Sequence, residues 1–202
     1  MFEPLERTLQ LIGDDVITAC LAGRDSAREG LSEYKKSSIG RFRSLRRGTV
    51  YGILHDFYFD GVSRALEGNS RTQVIRNKAG DHVIIDDQMV VMFKKHSSDH
   101  RVSSYPTKNA KRYHSGAVTL NGLQLTTFTA GYVYDDDLNE VGAAVISHRL
   151  GLSKTPHWCV EIERPTASQH GAGYVFNAVL EPDIPLIQVE PKEQETEGTG
   201  DL

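Results

Sequence analysis

The stretch Thr72-Gln73-Val74-Ile75-Arg76-Asn77-Lys78-Ala79-Gly80-Asp81-His82-Val83-Ile84-Ile85-Asp86 decides how this chain folds. Two short runs rich in β-branched residues flank Asn77-Lys78-Ala79-Gly80, a composition that predicts a hairpin. Upstream the apolar period is helical. Leu5, Leu9, Ile12, Val16, Ile17 and Cys20 recur at helical spacing between Pro4 and about Leu31. Gly13 and Gly23 are the weak points of what reads as one long helix or a broken pair. Ser37-Ser38-Ile39-Gly40 reads as a connector. From Ser44 to Leu66, Val50, Ile53, Leu54, Phe57, Tyr58, Val62 and Leu66 make a second apolar helix face, and Gly68 is its stop.

Downstream the pattern is that of strands. Gln88 to Phe93 is a third short strand after Asp86-Asp87, and Ser97 to Ser115 is polar, basic and read as a loop or short helix. Leu123 to Tyr134 and Glu140 to His148 pair across the acidic turn Asp135-Asp136-Asp137-Leu138-Asn139, and Trp158 to Ile162 adds another strand. The order predicts an α+β domain: N-terminal helices (4–67) followed by a largely antiparallel sheet (71–163), with the helices on one face. One domain is expected over 1–185, and 186–202 is expected to be an acidic disordered tail.

With 202 residues, 39% hydrophobic and 25% charged, the chain can bury a core. No apolar run approaches the ~20 residues that span a bilayer, so no membrane partner is expected. Met1-Phe2-Glu3-Pro4 lacks the basic start and apolar stretch of a secretory signal. Cys20 and Cys159 have no CxxC or Cys/His metal spacing and read as buried, reduced thiols, which points to the cytoplasm. The formal charge of −4 conceals a segregation. Lys35 to Arg112 holds 16 Lys and Arg against 7 Asp and Glu, or +9, while the rest holds 7 against 20, or −13. Such separation predicts a positive surface facing a polyanion.

The candidate residues lie in that basic third. Arg46 and Arg47 open the second helix, and Arg47, Tyr51 and His55 would share one of its faces. His55 and Asp56 are adjacent, so their side chains diverge, and a satisfied core-edge histidine competes with a functional one. Lys94 and Lys95 fall on opposite faces of a strand. Arg101, Tyr105, Lys108, Lys111, Arg112 and Tyr113 interleave cations with rings that could stack on bases. A solvated basic loop, a nucleic-acid interface and a contact with an acidic protein are the alternatives. Catalysis, if any, would fall to His55, Lys94 and Lys108, with His96, His100 and His114 available for proton transfer. Asp86-Asp87 with Lys94 only partly fits a metal-dependent nuclease, because Met92 occupies the position two before the lysine where an acid is needed. A His157–Cys159 pair lacks an orienting third group. No phosphate loop, HExxH, GxSxG or glycine-rich dinucleotide fingerprint occurs, so neither cofactor nor metal is expected.

The segments Arg47-Gly48-Thr49-Val50-Tyr51-Gly52-Ile53-Leu54-His55-Asp56, Met89 to Lys95, Ser104-Tyr105-Pro106-Thr107-Lys108, Thr129-Ala130-Gly131-Tyr132 and His157 to Ile162 resemble a group of small bacterial proteins. These are encoded beside regulators that join a repressor-type helix-turn-helix to an ImmA/IrrE-type metallopeptidase domain, as in RosmerTA-like toxin–antitoxin phage-defence systems. The resemblance spans about 45–163 and implies the toxin side of such a pair, with the helix-turn-helix/metallopeptidase protein as antitoxin partner. It implies no reaction, and Lys108-Asn109 departs from the glutamine of the pattern after Pro-Thr. Three functions follow as expectations: a toxin acting through its basic surface on a nucleic acid or nucleotide-bearing target, a non-enzymatic nucleic-acid-binding or adaptor module, and an RNase.

Overall fold

Helix α1 (Leu5–Ser37) buries Ile12, Val16, Ile17 and Cys20 along one stripe. Gly13 breaks it with φ 83°, ψ 158°, so the two pieces meet at a kink. Gly23 does not break it. A Cβ there would stand 2.7 Å from Val62 Cγ2 and 2.9 Å from the Tyr58 carbonyl, so the residue expected to weaken the helix lets α3 (Arg47–Ala65) approach closely. The expected connector is partly helical: α2 spans Ile39–Ser44 and packs the Phe42 ring edge-on against Tyr34 at 6.1 Å.

The computed structural model describes residues 5–37, 39–77, 80–102, 108, 111, 113, 118–120, 123–149, 153–165 and 174–180. The expected tail at 186–202 and the candidates Tyr105, Arg112 and His114 lie outside them. Among the described residues no helix is long and apolar enough to cross a membrane.

The protein is α+β, as the sequence predicts. Strands β1 (Thr72–Ile75), β2 (His82–Ile85), β3 (Met89–His96), β6 (Thr126–Asp135), β7 (Glu140–His148), β8 (Trp158–Glu163) and β9 (Val175–Leu180) form one sheet in the order β1-β2-β3-β6-β7-β8-β9. β4 (Thr119–Leu120) and β5 (Leu123–Gln124) make a separate two-stranded piece, so the expected strand from Leu123 is divided. Every pairing in the large sheet is antiparallel except β3 with β6. Parallel neighbours need a crossover of roughly a dozen residues or more, and the polar stretch after His96 supplies it. β9 was not expected, and it extends the sheet beyond residue 163.

Helices cover one face, where Tyr58, Phe59, Phe93, Phe128, Tyr132 and Trp158 are buried. The other face carries a smaller apolar cluster of Ile84, Val90, Tyr113 and Leu125. Both cysteines are buried and free.

Candidate functional site

Alternation along β3 sets the geography. Phe93 packs on Tyr58 and Phe59, and Lys95 lies over Tyr51 and Tyr134, so both point toward the helices. Lys94 therefore belongs to the opposite face, beside Met92 in the smaller cluster.

On the helix side, Arg47, Tyr51, His55 and Phe59 recur every fourth residue of α3 and lie along one stripe. At its first end is a cleft of about 240 Å³ lined by Phe42, Leu45, Arg47, Tyr51, Tyr134 and Asp136. The Tyr51 hydroxyl donates to Asp136, and Lys95 Nζ lies 3.1 Å from that carboxylate and 3.8 Å from the Tyr51 ring centre. Burial and then the bond to Asp136 push the phenol of Tyr51 up to about 12. Burial acts to raise Asp136, but the bonds from Tyr51 and Lys95 outweigh it and hold the carboxyl below its ordinary value. Lys95 is thus neutralised.

Further along the stripe, His55 Nε2 lies 3.3 Å from Asp81 at the start of β2. Its ring stacks on Phe59 at 6.5 Å. Arg76 reaches Asp56 at 2.5 Å and Asp81 at 3.5 Å. The adjacent Asp56 is not what orients His55. Burial lowers the imidazole, Asp81 opposes this, and Lys94 lowers it further. The group ties α3 to the β1–β2 hairpin through one carboxylate shared by a histidine and an arginine.

The sheet face away from the helices is polar where a buried face is ordinarily apolar. His96, Thr127, Thr129, Ser147 and Arg149 are all buried there. His96 Nδ1 donates to the Lys94 carbonyl at 3.2 Å, which leaves Nε2 to accept the Ser147 hydroxyl proton at 2.9 Å. This is the arrangement of a nucleophile and its base, but both side chains are 0% exposed, and burial pushes the imidazole down to about 3. The pair is a satisfied hydrogen bond, closed to substrate. Arg149, 4% exposed, donates from Nε to the Ser153 carbonyl at 2.6 Å. Burial lowers Lys94, and the Arg149 guanidinium lowers it further, against the pull of Asp81. His100 is paired with Glu161 at 2.8 Å.

The remaining candidates separate. Arg46 is exposed before α3, Lys108 and Lys111 are exposed, and Arg101 pairs with Asp99 at 3.0 Å. Tyr113 does not offer its ring for stacking. It is 4% exposed, its hydroxyl accepting from the Met92 N–H with the Val90 and Phe128 carbonyls both in reach of its one proton. Asp86 and Asp87 sit in the β2–β3 turn, with Asp86 on Arg71 at 2.7 Å. Lys94 is five residues beyond Met89, roughly 16 Å along the strand, so the carboxylate–lysine arrangement of a nuclease is not assembled. Burial and then Glu161 push the Cys159 thiol up to about 12, which makes it a poor nucleophile. Neither the cleft beside Tyr51 nor the one lined by Arg28, Lys35 and Asn139 gathers Arg47, His55, Lys94 and Lys108, and among the described residues no group of three or more His, Cys, Asp or Glu could hold a metal ion.

Asp81, Asp136, Ser147, Arg149 and Glu161 complete these clusters and were not singled out in the sequence. For Arg149 a signal existed: alternation from the apolar Ile146 places Ser147 and Arg149 together on the other face.

The fold and its charged faces define an α+β protein with a helix-covered apolar face and a polar, cation-bearing one. Compared with protein-family models, curated proteins and solved structures, the chain matches none.

Proposed function

We propose that this chain is the toxin-side component of a bacterial toxin–antitoxin, phage-defence pair, holding a nucleic acid or nucleotide-bearing target against the sheet face that the helices leave free. One observation carries the choice of face. Lys95, Arg71, Arg76 and Arg101 are each neutralised by a carboxylate. Lys94, Lys108 and Lys111 have no ion-pair partner among the described residues. Tyr113, two residues beyond Lys111 in the sequence, packs into the apolar cluster of that face. The segment resemblance supplies the biological setting and the expected antitoxin, a helix-turn-helix/ImmA-IrrE-type protein.

Induction of the chain alone should arrest growth of a bacterial host, and co-expression of the neighbouring gene should restore it. Normal growth at confirmed protein levels would remove the toxin reading.

A second reading, a non-enzymatic nucleic-acid-binding or adaptor module, is favoured by the sealed Ser147–His96 pair. It predicts salt-sensitive binding without turnover of the bound strand. Strand cleavage that survives chelation and disappears in His55→Ala would instead restore the RNase reading.

A further inference from the structure

Two clefts meet at Asn139, on the side of the sheet that the helices cover. The first, about 240 Å³, is the one lined by Phe42, Leu45, Arg47 and Tyr51. The second, about 340 Å³, lies between α1 and the start of β7 and is lined by Arg28, Leu31, Lys35, Asn139 and Val141. Lys35 Nζ of the second stands 5.6 Å from the Phe42 ring centre of the first, so the two adjoin.

Three cations border this space, and none is ion-paired among the described residues. Arg28 donates to the Val141 and Gly142 carbonyls at 3.0 and 3.1 Å, and Lys35 donates to the Asn139 carbonyl at 2.5 Å. Backbone carbonyls hold these groups in place but do not cancel their charge. Arg47 is exposed at the wall of the first cleft. Asp136, the carboxylate of that cleft, is committed to Lys95 at 3.1 Å and to the Tyr51 hydroxyl. Lys95 also lies 3.8 Å from the centre of the Tyr51 ring. A cationic guest would find that ring and that carboxylate taken. An anion would be opposed by Glu140, exposed at the edge of the second cleft, and attracted by Arg28, Lys35 and Arg47. The rings of Phe42, Tyr51 and Tyr134, with Leu45 and Val50, favour a guest whose anion is attached to a flat, largely apolar ring. Asn139 adds direction: its Oδ1 accepts from the Tyr134 hydroxyl at 3.2 Å, which leaves its Nδ2 protons for a guest's acceptor.

We infer that these adjoining clefts bind a nucleoside monophosphate, its base against the rings of the first cleft and its phosphate held by Lys35 and Arg47 beside Phe42. A phosphate dianion matches several cations better than a single carboxylate does. A free nucleotide and the 5′-phosphate end of a strand offer this same chemistry. The site lies across the sheet from the face proposed above for the nucleic acid and does not depend on that reading.

The test is calorimetric titration of the full chain with AMP, GMP, CMP and UMP, with their nucleosides, and with inorganic phosphate. At least one nucleotide should bind about tenfold or more tightly than its nucleoside and than phosphate alone. Arg47→Met and Phe42→Leu should each weaken it by about tenfold or more, the first by loss of a charge-assisted bond and the second by loss of the ring. Arg64→Met, at the opposite end of α3, should bind as the wild type does. Arg47 is exposed, so its variant keeps the test intact if Phe42→Leu fails to fold. Unchanged nucleotide binding in Arg47→Met would overturn the site. So would a nucleoside or inorganic phosphate that binds as tightly as the nucleotide, or the absence of binding by all four nucleotides. A 5′-phosphorylated oligonucleotide that binds more tightly than the mononucleotide, again through Arg47, supports the site and makes a strand end its occupant. The reverse preference supports it with the free nucleotide as occupant. Growth arrest without nucleotide binding overturns the site and leaves the toxin reading standing. Arg47-dependent binding without arrest supports the site and removes the toxin reading instead.

Discussion

At the scale of single residues, His148 fills a place suited to an apolar ring. Its ring centre lies 5.4 Å from that of Phe128 and 5.8 Å from that of Trp158. Burial, and then the neighbouring His157, pushes its imidazole down to about 4. An unfolded histidine titrates near 6.5, so between the two values the unfolded chain binds more protons than the folded one. The stability is therefore present above about pH 6.5 and is lost as pH falls toward 4. His96, pushed down to about 3, acts in the same direction. His148→Phe should melt close to the wild type at neutral pH and above it at mildly acidic pH. Parallel losses on acidification would show that His148 is not a source of the acid sensitivity. Gly131 is a second sensitive residue: a Cβ there would lie 1.8 Å from the Lys94 carbonyl oxygen, a backbone atom that cannot move without disturbing the β3–β6 pairing. Gly131→Ala should cost about 3 kcal/mol or more, read from urea unfolding.

Elements show why some of this was legible and some was not. The stripes of α1 and α3 are long enough for helical periodicity to show in the sequence, and the β1–β2 hairpin is announced by its β-branched runs. Helix α2 is six residues, too short for a period to register. The parallel β3–β6 pairing is invisible because strand composition does not encode partner direction, and only the length of the crossover hints at it. The site divides the same way. Its cations were visible as charges, but whether each is neutralised depends on residues far along the chain: Asp136 for Lys95, and Asp56 and Asp81 for Arg76. The Tyr51–Asp136–Lys95 contact between α3, β3 and the β6–β7 turn can be measured directly. Tyr51→Phe loses one charge-assisted bond and should cost about 1–2 kcal/mol. Asp136→Ala should cost about 3 kcal/mol, because it strands a lysine whose side chain is 12% exposed. A double-mutant cycle with Lys95→Met should recover part of that cost. Full additivity would mean that the three groups are merely adjacent.

For the molecule as a whole, the argument turns on which charges survive pairing. The segment from Lys35 to Arg112 carries +9, yet folding neutralises several of its cations internally. Lys95 meets Asp136, Arg76 meets Asp56, and Arg71 bridges Asp15 and Asp86. A polyanion senses what remains. Each phosphate neutralised on a nucleic acid releases counterions, with a slope of log affinity against log salt of about −0.7 to −0.9 per contact. Reversing Lys108 and Lys111 together should therefore flatten that slope by about 1 to 2 for a bound oligonucleotide. Lys95→Met should leave the slope unchanged, because its ammonium is committed to Asp136 and the ring of Tyr51. Arg101→Ala should have only a small effect, since Asp99 stands 3.0 Å from its guanidinium. If Lys95→Met and the Lys108/Lys111 reversal change the slope equally, binding follows net charge alone and the free face of the sheet has no special role. If only the reversal changes it, the neutralisation pattern of the fold, rather than the number of basic residues in the sequence, determines where the polyanion binds.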